Sequence, residues 1–232
     1  MFYFDPLYLI FALPGLILSV LASLYVKATF SRFSRVHATS RLTGAQAAYQ
    51  MLQSQGVTNV RIERVNGFLS DHYDPSSHTL RLSDDVYGRS TIAAIGVACH
   101  EAGHALQHAH HYSPLALRTL LVLPANLGSQ FSYLIIVAGA LLQAPSLIHI
   151  GLILFSLGVL FTLVTLPVEW NASSRAKQAM LSAGFLSPNE LVGASSVLNA
   201  AFLTYVSAAA TAIFTLLYWL VRLGIIGGRR DD

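Results

Sequence analysis

Val97-Ala98-Cys99-His100-Glu101-Ala102-Gly103-His104-Ala105-Leu106-Gln107 carries the pattern HExxH at residues 100–104. On an α-helix, residues four apart lie on one face about one turn apart, so the imidazoles of His100 and His104 can hold a single metal ion. The pattern points to Zn²⁺, with Glu101 as the general base that takes a proton from metal-bound water. The flanks support a helix over residues 90–110. No proline lies between Ser90 and His108, Ala93, Ala94, Ala98, Ala102 and Ala105 favour helix, and Ser90 suits an N-cap. Ala94, Gly96, Ala98 and Gly103 are small enough for other backbone to approach closely, as a helix beneath a substrate groove requires. A chance match on a helix whose histidines merely pack is the competing reading; the rest of the chain argues against it.

The 232 residues are 54% hydrophobic and only 11% charged, which is too apolar for a soluble domain of this length and indicates a membrane protein. The formal charge of +3 is small and the basic residues are dispersed, which excludes a nucleic-acid partner. The single cysteine, Cys99, rules out an intramolecular disulfide. It precedes His100 and points elsewhere on the helix, so it reads as a small buried hydrophobe rather than a ligand.

Four apolar runs are long enough to cross a bilayer: residues 7–26, 115–142, 147–166 and 201–223. The first contains Pro14-Gly15, a kink signal. It is preceded by Asp5 and followed by Lys27, Arg32, Arg35 and Arg41, the reverse of a cleaved signal peptide, and so reads as an uncleaved anchor. The second carries Arg118, Pro124, Asn126 and Gln130 near its start, and polar groups in a span face protein or a wet cavity. A four-residue link, 143–146, makes the second and third spans a helical hairpin, and Pro167 ends the third.

Residues 27–113 form the one sizeable polar region, a membrane-associated catalytic part. Within it, Thr43 to Gln55 is helical by pattern, with Thr43 as N-cap and Gly56 as the stop. Val57 to Val65 alternates in its second half like a half-buried strand. Asp74-Pro75-Ser76-Ser77 is a turn signal, so the pieces on either side are expected to pair as a hairpin, with Leu80 to Ser83 as an exposed edge able to hold an extended peptide. A helical segment over 168–200 follows the third span. Of 14 Lys and Arg, nine lie between residues 27 and 118, two between 168 and 200, and three from Arg222 onward. This bias puts the polar region, and with it the active site, on the cytoplasmic side of the cell membrane, although the tail carrying Arg222, Arg229 and Arg230 then lies outside.

Catalytic zinc usually has three protein ligands plus water, so a third is needed. After His104 the only carboxylates are Glu169, Glu190, Asp231 and Asp232. The aspartates sit in the tail, and Glu190 closes Ser187-Pro188-Asn189-Glu190, a capping box. Glu169 remains, separated from HExxH by two spans and so returned to the same face; an ordinary interfacial anion is the other reading of it. His110 competes through the HExxHxxGxxH pattern, but Gln107 stands where glycine is required. On a continuous helix His110 lies about 15 Å along the axis from His100 and His108 about 12 Å. Both read, with His111, as a polar helix end. His72, within Asp71-His72-Tyr73-Asp74, is either an oxyanion-stabilising donor or a hairpin hydrogen-bonding group.

These residues resemble the YugP-type family of membrane zinc metallopeptidases. The resemblance rests on Thr43-Gly44-Ala45, Leu69 to Pro75, Leu82-Ser83, Ala98 to Ala105 and Pro167-Val168-Glu169-Trp170-Asn171-Ala172-Ser173, and extends over nearly the whole chain. It implies a multi-pass membrane protein with a zinc-dependent endopeptidase site. The chain is similar, more distantly, to the gluzincins related to HtpX and the CAAX prenyl proteases. Those carry Glu-x-x-Ala-Asp, with the aspartate orienting a zinc-bound histidine; here Ser173 occupies that aspartate's place, and Asn171 stands where the closer family suggests an acidic residue.

The fold expected is therefore an α-helical multi-pass membrane protein of about four transmembrane helices, with a small α+β, zincin-like metalloprotease region carrying HExxH on a helix. The function expected is an integral membrane zinc endopeptidase acting on peptide or protein substrates, juxtamembrane or misfolded segments of membrane proteins among them. His100, His104 and Glu169 bind Zn²⁺ and Glu101 serves as base. An intramembrane protease that completes its site with an aspartate from a later span fails, because no aspartate follows His104 before the tail. A proteolytically inactive metal-binding membrane adaptor or scaffold is the alternative, and it leaves Glu101 without a purpose.

Overall fold

The computed structural model describes residues 5–67 and 70–227; Leu69 and the tail residues Arg229, Arg230, Asp231 and Asp232 lie outside the described residues. In chain order the elements are α1 (Pro6–Phe33), α2 (Gly44–Ser54), β1 (Arg61–Val65), β2 (His72–Asp74), β3 (Thr79–Ser83), α3 (Asp84–Tyr87), α4 (Ile92–Ala109), α5 (Ser113–Leu141), α6 (Pro145–Ser182) and α7 (Pro188–Arg222). They form two compact units, one of Met1–Ala22, Leu117–Leu166 and Thr204–Asp232, the other of Ser23–Ala116 and Pro167–Leu203.

The first unit is helical. It draws on α1, α5, α6 and α7, the four helices long and apolar enough to cross a membrane. Ile10, Leu120, Leu123, Leu134 and Ile153 stay exposed, as lipid-facing side chains do. Gly128 lets α5 approach α6 closely, since a Cβ there would collide with the Leu154 carbonyl. At the start of α1, Asp5 accepts a hydrogen bond from Tyr218 Oη at 3.0 Å and pairs with Arg222 Nε at 3.4 Å.

Proline does not end the third apolar helix. α6 continues through Pro167 to Ser182, where the sequence pattern stops the span at Leu166. Proline removes one backbone donor, and a long apolar helix tolerates that loss as α1 does at Pro14 and α5 at Pro124. Likewise α7 begins at Pro188, so residues 201–223 fall in one helix with the stretch before them, to Arg222. Its start is set by Ser187 and Glu190: the Ser187 N–H donates to Glu190 Oε2 at 2.8 Å and the Glu190 N–H to Ser187 Oγ at 3.4 Å.

The second unit has an apolar core in which Met51 and Leu52 of α2, Leu80 and Leu82 of β3, and Ile95, Ala98, Cys99 and Ala102 of α4 are all buried. Thr43 caps α2 in a reciprocal box with Gln46, and Gly56 ends the stretch at φ +72. α4 is capped by Thr91, whose Oγ1 accepts from the Ala94 N–H at 3.3 Å; Ser90, the expected cap, instead meets His37 Nδ1 at 3.2 Å. Burial pushes the Cys99 thiol up to about 12, so it packs as an inert apolar group.

The sheet has the order β1-β3-β2, with β1 parallel and β2 antiparallel to β3. The β2–β3 hairpin turns on Asp74, whose carboxylate accepts from the Ser76 N–H, both serine hydroxyls of the turn and Arg81 Nη1. The expectation that Leu80 to Ser83 is an edge is corrected. β3 is the central strand because β1 pairs along its other side, a non-local pairing invisible to local alternation; the edges are β1 and β2.

Candidate metal centre and active site

His100, Glu101 and His104 lie on α4, and Glu169 lies on α6 two residues past Pro167. Close approach of these helices makes the site. At Gly103, between the two histidines, a Cβ would stand 2.7 Å from the Ala172 backbone oxygen, so only glycine lets α6 lie this near. Glu169 Oε2 is 3.2 Å from His100 Nε2 and 3.5 Å from His104 Nε2, and Glu169 is 1% exposed. The imidazoles are nearly perpendicular, with centroids 4.8 Å apart. One ligand atom from each of His100, His104 and Glu169 lies within 4.8 Å of the others, the one such group of histidine, cysteine or carboxylate side chains among the described residues.

The outer nitrogens of both rings are committed elsewhere. His100 Nδ1 lies 3.0 Å from Ser173 Oγ, and His104 Nδ1 lies 3.0 Å from Gln107 Oε1. Gln107 is fully buried and its amide has no choice of orientation: Nε2 donates to the Val168 carbonyl at 2.8 Å and to Asn171 Oδ1 at 3.0 Å. A backbone carbonyl only accepts, so Oε1 must face His104 and receive its Nδ1–H. Once Nε2 has lost its proton, the His104 ring presents that nitrogen's lone pair inward. Asn171 is held in turn by Arg175 Nε at 2.8 Å. Two imidazole nitrogens, each ring supported from behind, and one carboxylate oxygen are a donor set that suits zinc and leaves a fourth position open.

Glu101 is half-buried. Burial pushes its carboxyl above the ordinary carboxylate range; the His100 and His104 rings oppose this, while the charges of Glu169 and Asp71 add to it. His104 is pulled down by burial, but Glu169, Glu101 and Gln107 outweigh it and raise its pKa above the usual imidazole value. Asp71 is also raised, by burial, against the hydrogen bonds it accepts from the Ser83 N–H at 2.7 Å and Ser83 Oγ at 3.0 Å.

Other sequence candidates go elsewhere. His72 is exposed on β2 with Nδ1 2.7 Å from the Ser70 carbonyl, and is not one of the three clustered residues. His108 Nδ1 meets Tyr73 Oη at 2.9 Å, and His110, the C-cap of α4, meets Arg175 Nη1 at 3.0 Å. Sequence reasoning missed the part played by Gln107, reading it as a helix former. The available signal was its spacing, three residues after His104 and so on the same helix face.

The family described as "Putative neutral zinc metallopeptidase" matches residues 8–224. A relative named "Putative membrane protease YugP", from Bacillus subtilis (strain 168), is 46% identical over 215 residues, covering 93% of this chain and 96% of the relative. No solved structure matches the chain. Because both likenesses run almost from end to end and include the helices that bring His100, His104 and Glu169 together, the chain belongs to this family of membrane zinc metallopeptidases.

Proposed function

We propose that the protein is an integral membrane zinc endopeptidase of gluzincin type, with zinc held by His100, His104 and Glu169 in a zincin-like region and Glu101 as general base. The observation that carries this reading is the convergence of the His100, His104 and Glu169 donor atoms within 4.8 Å, with Glu101 on the same helix between the two histidines. Bound there, zinc supplies Lewis acidity that makes water more acidic and a peptide carbonyl more electrophilic. Glu101 accepts the proton of the attacking water and delivers it to the leaving amine, so one carboxyl serves both halves of the hydrolysis. Its raised pKa suits this exchange by bringing proton uptake and release closer together in energy. Ser173 and Gln107 hold the two rings in the orientation that directs Nε2 inward. Excess Lys and Arg in residues 27–118 supports a cytoplasmic site, with juxtamembrane or misfolded protein segments as substrates.

The test compares zinc content and cleavage of an unstructured protein by the detergent-purified chain and two variants. Glu101→Gln is expected to keep zinc and lose activity by roughly 100-fold to 10,000-fold, the range for removing a general base. Glu169→Ala is expected to lose zinc as well. Full zinc and activity in Glu169→Ala would refute the ligand set. A wild type that binds zinc but cleaves nothing, unaltered by Glu101→Gln, would instead support the inactive scaffold.

A further inference from the structure

Where α1 passes from its apolar run into its basic end, Lys27, Ser31, Ser34 and Arg35 line a surface cavity of about 400 Å³ that also touches Asp85 and Arg89. Lys27, Ser31 and Ser34 are spaced four and three residues apart and so share one face of the helix. The cavity contains more cation than anion. Arg89 Nη2 is paired with Asp85 Oδ1 at 3.0 Å, whereas no hydrogen bond or ion pair holds the side chain of Lys27 or Arg35 among the described residues. Immediately before Lys27, Leu24 and Tyr25 are exposed at 59% and 48%. One helix therefore presents, in order, bare apolar surface and then two unpaired cations beside a hydroxyl.

That order matches the layers of a bilayer. A headgroup layer is about 5–7 Å deep on each side, and from Lys27 to Ser31 the helix rises about 6 Å. We propose that this groove binds the phosphate of an anionic phospholipid: Lys27 and Arg35 neutralise the phosphodiester, Ser31 donates a hydrogen bond to it, and an acyl chain lies along Leu24 and Tyr25. Charge complementarity alone would admit any phosphate or acidic peptide. The exposed apolar turn directly before the cations favours a ligand that is apolar at one end and anionic at the other.

The experiment is heat unfolding of the full chain in non-ionic detergent with zinc present, with short-chain phosphatidylglycerol or phosphatidylcholine added. Phosphatidylglycerol is expected to raise the wild-type midpoint by about 4 °C at a concentration about tenfold above its Kd, and phosphatidylcholine to leave it unchanged. Lys27→Gln with Arg35→Gln should abolish the shift while keeping zinc content and the lipid-free midpoint, because both side chains are exposed and unpaired. Lys27→Arg, which keeps the charge, and Arg61→Gln, elsewhere on the surface, should retain it. Equal shifts with both lipids, a full shift in the double variant, or the same shift from inorganic phosphate or a soluble acidic peptide would overturn the lipid assignment.

Discussion

Gln107 controls a ring it merely touches. Held by the Val168 carbonyl, its amide can only accept from His104, which fixes the tautomer and leaves Nε2 for the proposed zinc. Gln107→Leu keeps helix propensity and volume but leaves the His104 Nδ1–H and the Val168 carbonyl without that partner. Zinc affinity is expected to fall by about 10-fold to 100-fold, measured by competition with a chromogenic chelator. Ser173 holds His100 through a single hydroxyl, so Ser173→Ala should cost less, about 1 kcal/mol of binding. The pH dependence of metal uptake follows from His104. Its pKa is raised above the ordinary 6.5, a proton competes with zinc for the same nitrogen, and protonated histidine cannot bind. Zinc affinity should therefore hold at alkaline pH and begin to fall above pH 6.5 as the pH is lowered, as a titration of Kd against pH would report. A fall starting only well below 6.5 would contradict the raised value.

At the scale of elements, the site depends on how near α6 comes to α4. Gly103→Ala places a methyl 2.7 Å from the Ala172 carbonyl oxygen, so the helices must separate and draw Glu169 away from the histidines. The expected cost is about 1–3 kcal/mol of stability, the usual range for overpacking, accompanied by loss of zinc. Gly158→Ala on α6 meets nothing within 4 Å and should leave zinc content intact, which separates the close approach from a general effect of removing a helix glycine. The passage of α6 through Pro167 matters for the same reason. With the helix unbroken, Val168, Glu169, Asn171, Ala172 and Ser173 follow one another at helical spacing, and all but Ala172 serve the site through side chain or carbonyl while Ala172 backs Gly103. A helix ending at Leu166 would leave those roles to a loop.

Over the molecule as a whole, the proposed zinc joins residues 69 positions apart in sequence, so removing it should loosen the unit that contains them. Chelation is expected to lower the heat-unfolding midpoint, reversibly on adding zinc back, because free zinc a thousandfold above its Kd contributes about 4 kcal/mol. An unchanged midpoint at matched detergent would argue against a metal bridging α4 and α6. Short-range order explains what could be read without coordinates. Apolar runs of about twenty residues, the Thr43 and Ser187–Glu190 caps, the Asp74 turn and the spacing of His100 and His104 are each written in residue order alone. Inventory points to Glu169, since few carboxylates follow the motif. Three features depended on the folded chain: the parallel pairing of β1 with β3, the continuation of α6 beyond Pro167, and the linkage of Val168 and Asn171 through Gln107 to His104. Each joins groups far apart in sequence, or persists because packing outweighs a local preference, and neither kind of interaction leaves a periodic trace in the residues that make it.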